Sequence, residues 1–479
     1  MVVRGLPERL AKDAWWMDDA VPRHPRPMWL LVVAVVCADW LVWAATGGLG
    51  VVAWVLIVAL AMQVMRWGAV PRGRSAAAWG LLFVALVPAV DLVQMLSVIF
   101  AGLGLLGFAA LMIVPVWDAA AILQVMRRFP GAGLLQSVVD VCALCIAAPA
   151  AGRLRGVFLD WAVPLGVGAV FVVLMVMANP VVDLWLAKMT RFENGFSVSG
   201  ARVAFWCVMI VLVWPFLRLS AMAGRLRCVS AARPPRWRSG LVNDRSVSRA
   251  LVLFNAIFLV QSLLDLGYLW GGVALPEGMT YAAYAHRGAY PLLGTALLAG
   301  AFALLSQPYL GGCTRLRGLL YLWVAQTVLL VVSSILRLDL YVDVYGLTRL
   351  RFAAFVWMVV VALGLVLLIA QMVQRVPVAW FGLRAAGLGI VALYVCALVN
   401  VDGYVARSNL NSPRVDPYYV CGLSGGAVPA IAAYERRSGA PLCSRGWPGL
   451  GAPRDWREWG YRNARLRLSL AAIEAEVRT

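Results

Sequence analysis

The sequence has almost no lysine and almost no histidine. Lys12 and Lys188 are the two lysines, which leaves forty arginines among the 42 basic residues, and His24 and His286 are the two histidines. The metalloprotease HExxH, paired CxxC motifs at zinc spacing, the Walker lysine loop and the dinucleotide glycine motif are all missing. Neither a metal site nor a cofactor is therefore expected. Cys142 and Cys145 form "CALC" but have no second pair to complete a metal or redox centre. "GLSGG" around Ser424 lacks the full nucleophile-elbow pattern, and both histidines lie far from it in sequence, so hydrolase chemistry is not indicated. A cleavable leader is also not expected. The chain opens with a polar, amphipathic stretch, and its first apolar run is closely followed by a second, as an anchor would be.

Long hydrophobic runs are what the sequence does have. Of 479 residues, 62% are hydrophobic, against roughly 45–50% in soluble domains. A water-soluble fold could not hide that excess. The runs are about 20 residues long, which suits helices crossing a bilayer and not the short alternating strands of a barrel. The expected fold class is therefore all-α, a polytopic membrane bundle of about eleven transmembrane helices with a small extramembrane C-terminal domain. The runs are 28–46, 49–67, 76–95, 97–115, 157–178, 201–219, 250–271, 290–307, 318–336, 352–374 and 383–400. Residues 1–27 form an amphipathic cytoplasmic segment, 28–400 the membrane domain and 401–479 an extracytoplasmic tail.

The net charge of +19 is spread over the gaps between runs and forms no single patch, so a nucleic-acid partner is not expected. With the amino terminus inside, Arg66, Arg72 and Arg74, then Arg127, Arg128, Arg153 and Arg155, then the arginine-rich stretch 225–249, then Arg315, Arg317 and Arg375 all fall on one face. That is the positive-inside pattern of a bacterial inner-membrane protein with its tail outside. Residues 131–151 are long enough to span, but arginines flank both ends, so a surface helix is expected there. Cys421 and Cys443 are the two cysteines of the tail. Either they pair, as an oxidising compartment allows, or they are unrelated thiols.

Two polar segments face the outer side in this topology. One is "EGMTYAAYAHRGAYPLLG" (277–294), the other "RLDLYVDVYGLTRLRF" (337–352), and both read as loops. Tyrosines gather at membrane interfaces for their amphipathic rings, and Arg–Asp pairs at helix ends satisfy each other locally. The sharper alternative is a shared outward pocket built from Asp265, Glu277, Tyr284, His286, Arg287, Tyr341, Asp343, Tyr345 and Arg349. Its arginines would hold a phosphate or carboxylate, and His286 could move a proton. Within the runs, Asp39, Asp91 and Asp265 each need a partner, since a bare charge costs roughly 2.5–3.5 kcal/mol on insertion scales. Asp265 shares a helix face with Gln261 and has His286, Arg287 or Arg337 within reach.

The segments "LDLGYLWGGVALPEGMTYAAYAHRGAYPLLG", "SSILRLDLYVDVYGLTRLRFAAFVWM" and "NVDGYVARSNL", with Val428–Pro429 and the closing "DWREW", are similar to bacterial multi-pass membrane proteins grouped as domain of unknown function 4173, related to 4153. The likeness runs from about residue 80 to the end, departing at "GLSGGAVP" where the family's turn is more polar. The resemblance implies the architecture and gives weight to the outward segments, and it supplies no substrate. The leading expectation is a cell-envelope protein that binds a small anionic ligand or a protein partner, in contact with membrane lipids. The alternatives are a secondary transporter, proton-coupled through Asp265 and His286, or a membrane enzyme acting on a lipid-linked or anionic envelope substrate.

Overall fold

The computed structural model describes residues 27–43, 45, 47–115, 117–147, 200–227, 244–270, 281–307, 314–444, 446–449 and 452–478. The elements among them are helical, with no strand. In order they are α1 (Met28–Ala38, prolonged by a π-helical turn Asp39–Trp43), α2 (Leu49–Met65), α3 (Arg72–Asp91), α4 (Met95–Ile113), α5 (Ala119–Ala147), α6 (Gly200–Leu217), α7 (Leu219–Arg227), α8 (Asp244–Asp265, with a π-helical turn Leu266–Trp270), α9 (Tyr281–Ser306), α10 (Thr314–Tyr345), α11 (Arg349–Gln374), α12 (Val378–Leu398), α13 (Val401–Leu410), α14 (Pro417–Cys421), α15 (Val428–Ser438) and α16 (Tyr461–Arg478). Seven described helices are long and apolar enough to cross a bilayer, which makes the chain a multi-pass membrane protein. The α12 sequence shows why water is not its solvent. Leu383, Ile390, Val391 and Val395 are all more than half exposed, and Ala397 is its one buried residue. Outward aliphatic side chains on this scale are matched by lipid tails.

The chain divides into two compact units. The first holds residues up to 90, 98–230 and 455–458. Its core is apolar, with Leu82, Met62, Phe108, Met112 and Met222 sealed inside. Two polar knots interrupt it, and they have the same composition. Asp39 accepts from Arg202 Nε at 2.7 Å and from Trp206 Nε1 at 2.9 Å. Asp140 accepts from Arg218 Nε at 2.8 Å and from Trp214 Nε1 at 3.1 Å. In each knot an arginine and a tryptophan four residues apart share one helix face and clamp one carboxylate. The attraction and hydrogen bonds within each knot offset the cost of taking these groups out of water. Of the surface helix expected over 131–151, residues 131–147 are part of the longer α5, whose Gln136 and Asp140 are buried, and 148–151 lie outside the described residues.

The second unit holds 91–97, 231–454 and 459–479. Helices α8 to α11 pack around Leu251, Leu320, Trp323 and Leu368. Trp323 is ringed by Phe254, Phe258 and Phe302 at centroid distances of 5.3–5.7 Å. Both segments expected to be loops are largely helical. Tyr281–Ser306 is one helix, and α10 runs on to Tyr345. For α10 the reason is spacing: Leu338, Tyr341 and Val342 lie three and four residues apart and pack inward, so the apolar stripe continues through the charges. Gly346 ends the helix at a φ of 74°, a left-handed conformation that glycine adopts without strain.

The tail has its own small core of Val405, Val420, Ala427 and Ile431, and Leu347 from the α10–α11 turn completes it. The Asn409 side chain fixes that turn, accepting from Leu347 N–H at 2.7 Å and donating to its carbonyl at 2.8 Å. Cys421 and Cys443 are bonded, with Cα atoms 5.7 Å apart. Glu435 holds the second cysteine's loop, accepting from the amides of Leu442 and Cys443 and from Trp447 Nε1. Closing a loop of 22 residues restricts the unfolded chain by about 3 kcal/mol. Reduction, or Cys421→Ala with Cys443→Ala, is expected to lower tail stability by that amount, read by thermal unfolding with and without reductant.

Candidate ligand-binding site

The first residues of α11 build one side of the site. Thr348 caps the helix by accepting from Arg351 N–H at 3.2 Å, which sets Arg349 in the first turn. The Arg349 guanidinium forks onto Asp402, Nε to Oδ1 at 2.5 Å and Nη2 to Oδ2 at 2.6 Å. Its backbone N–H donates to the Tyr419 hydroxyl at 2.9 Å. Asp402 sits in the first turn of α13, where a carboxylate complements the helix dipole. Ser424 adds its amide, 3.0 Å from Oδ2, and its hydroxyl. Burial pushes the Asp402 carboxyl up, but the bonds from Arg349 and Ser424 outweigh it and hold the group below the ordinary aspartate value.

Beside this joint, Asn400 caps α13 by accepting from Gly403 N–H at 3.0 Å and donates to Gly426 O at 2.9 Å. A side chain on Gly403 or Gly426 would collide with the Asn400 amide, so the close approach needs glycine at both places. Arg462 of α16 donates to Asp91 Oδ2 and to the carbonyls of Val399 and Ala397, covering the open end of α12.

These groups rim a cavity of about 920 Å³. Its walls come from α11 and α12 and are apolar: Val356, Trp357, Val360, Ala392 and Leu393. Its rim is polar, with Arg349, Asp402, Ser424, Arg462 and Asn463. The volume lies in the range of small-molecule pockets, roughly 300–1,000 Å³. The arrangement suits a molecule with an apolar body and a polar end. It suits base catalysis poorly, since the one carboxylate on the rim is committed to a guanidinium and its proton affinity is depressed.

Domain of unknown function (DUF4153) is the family that matches, over residues 28–434. The chain belongs to that family. Comparison with curated proteins gives no match, and neither does comparison with solved structures. The DUF4153 match begins well before the residue-80 start read from the sequence, and it ends within α15. Arg349, Asp402 and Ser424 lie inside it, and Arg462 lies beyond it.

Of the residues expected to form a pocket, Arg349 lines this cavity. Asp265 is buried elsewhere, accepting from Gln261 at 2.8 Å and ion-paired to Arg337. Tyr341 and Tyr345 stack at 4.7 Å, and the Arg351 guanidinium lies 4.5 Å over Tyr341. Asp343 is exposed. Tyr284, His286 and Arg287 fall on the backbone of α9, and Glu277 lies outside the described residues. Asn400, Asp402 and Asn463 escaped sequence reading. The one local signal was "NVDG", an asparagine cap followed by an acid in the first turn.

Proposed function

We propose that this is a bacterial inner-membrane protein that binds an amphiphilic ligand in the α11–α12 cavity, with the apolar part along the helices and the polar end at Arg349, Ser424 and Asn463. The observation carrying this is the split of a single cavity into an apolar wall and a hydrogen-bonding rim. Eleven crossings, amino terminus inside and tail outside, form the accompanying topology. In support, the seven long helices and three shorter apolar ones (Met28–Trp43, Leu49–Met65, Gly294–Ser306) fall on ten of the eleven runs, and the remaining run, 157–178, lies outside the described residues. The ion pairs agree with this parity. Asp39 lies in the second half of the first run and Arg202 begins the sixth, Asp265 lies in the last third of run seven and Arg337 just after run nine, and Arg349 just precedes run ten opposite Asp402 beyond run eleven. Each pair needs its two ends on one side, as eleven crossings provide. A disulfide in the tail fits an oxidising outer compartment.

The test is native mass spectrometry of the detergent-purified full chain. It should retain an amphiphile, and Val360→Trp or Ala392→Trp, which fill the apolar wall, should cut occupancy about tenfold with the melting temperature kept. A chain that carries nothing, or variants as loaded as the parent, would defeat the reading.

A further inference from the structure

A second cavity of about 460 Å³ lies within the tail, between α13, α15 and α16. It shares Asn400, Gly426 and Leu466 with the first, so the clamped Asn400–Gly426 contact lies between them. Its chemistry differs. Arg407 and Arg437 both line it, Asn411 and Ser469 add polar groups, and among the described residues no carboxylate does. Arg407 donates Nε to Gly403 O at 3.1 Å, and among the described residues neither guanidinium forms an ion pair. Three acids of the tail are committed elsewhere. Asp402 is held by Arg349 and Ser424, Asp416 caps α14 through Tyr419 N–H, and Glu435 takes three donors from the Leu442–Trp447 loop.

Each arginine stands in the last turn of its helix, α13 for Arg407 and α15 for Arg437. A cation there complements the carbonyl end of the dipole, which accounts for Arg407 on α13 and for Arg436 and Arg437 on α15. It does not account for two helices placing an arginine, each exposed at the mouth, on one hollow that no carboxylate lines among the described residues. Two like charges lining one cavity repel, and an anion between them reverses the sign of that interaction. Guanidiniums match phosphate oxygens two at a time, and the Asn411 amide adds a neutral donor at the cavity, while the Ser469 hydroxyl donates to Leu466 O at 2.8 Å.

We propose that this cavity binds a phosphate group. The site is separate from the amphiphile cavity and stands or falls independently of it. Two sources share the chemistry, a free phosphate and a phospholipid headgroup, and the experiment separates them. The detergent-solubilised full chain is titrated with inorganic phosphate by calorimetry in chloride buffer. In parallel its thermal stability is compared in nanodiscs of phosphatidylglycerol and of uncharged lipid. Saturable phosphate binding is expected, weakened about tenfold by R407Q or by R437Q and about a hundredfold by both. R414Q, which removes the same charge from an exposed position outside the cavity, should change nothing. Silence toward inorganic phosphate, with stabilisation by phosphatidylglycerol that R407Q/R437Q abolishes, would support the proposal and assign the headgroup. R407K/R437K keeps the charge and removes the fork. It should fold as the parent does and bind more weakly, which covers a glutamine pair that fails to fold. No response in either arm, or equal losses in R414Q and the cavity variants, overturns the site.

Discussion

Asp265→Ala is expected to destabilise the membrane bundle by about 3–5 kcal/mol. Asp265 and Arg337 are 1% and 3% exposed and form an ion pair between α8 and α10. Removing the carboxylate leaves a guanidinium in an apolar interior without its counter-charge, and water cannot take its place. The cost belongs to the orphaned charge more than to the lost bond, and that distinction can be measured. Arg337→Met alone should be comparably harmful. Asp265→Leu combined with Arg337→Met should recover most of the stability, to within about 1–2 kcal/mol of the parent. Chemical unfolding of the four proteins in one detergent gives the cycle. A double variant as weak as either single one would mean that the pair does more than neutralise itself.

Asp402→Ala is expected to loosen the tail by about 2 kcal/mol, since it removes two charged bonds from Arg349 and two from Ser424. The estimate is lower than for Asp265 because the Arg349 side chain is 53% exposed and water takes up part of the loss. Asp402→Asn should fall between, keeping an acceptor without the charge. The same joint sets a pH response. The folded carboxyl titrates below its unfolded value, so its stabilisation is complete above the ordinary aspartate pKa near 4 and is lost as pH falls through the folded value. Tail unfolding should therefore be flat from about pH 5 to 8 and fall below about pH 4, with the acid limb reduced in Asp402→Asn. Limited proteolysis across that range reads it.

The sequence made the apolar runs legible because a bilayer demands a length that composition alone reveals. It made the Gln261–Asp265 face legible because helical spacing is local. It misread 337–345 as loop because tyrosine, aspartate and arginine mark a membrane rim as readily as a coil. Only the inward spacing of Leu338, Tyr341 and Val342 distinguishes the two. The ion-pair partners of Asp39 and Asp91 were out of reach, standing 163 and 371 residues away with no periodicity to connect them. The cavity was equally hidden. Its apolar wall looks like any lipid-facing helix, and its rim gathers residues from α11, α13, the turn at Ser424 and α16.

Those separations also fix an order of events during synthesis. Asp265 leaves the ribosome 72 residues before Arg337, Asp39 leaves it 163 before Arg202, and Asp91 leaves it 371 before Arg462. Each aspartate reaches the membrane while the arginine that will neutralise it has yet to be made. Protonation or the translocon's wet interior must carry it meanwhile. Asp91 waits longest, until α16 is translated, so a nascent chain halted before Arg462 holds a span with an unmet acid.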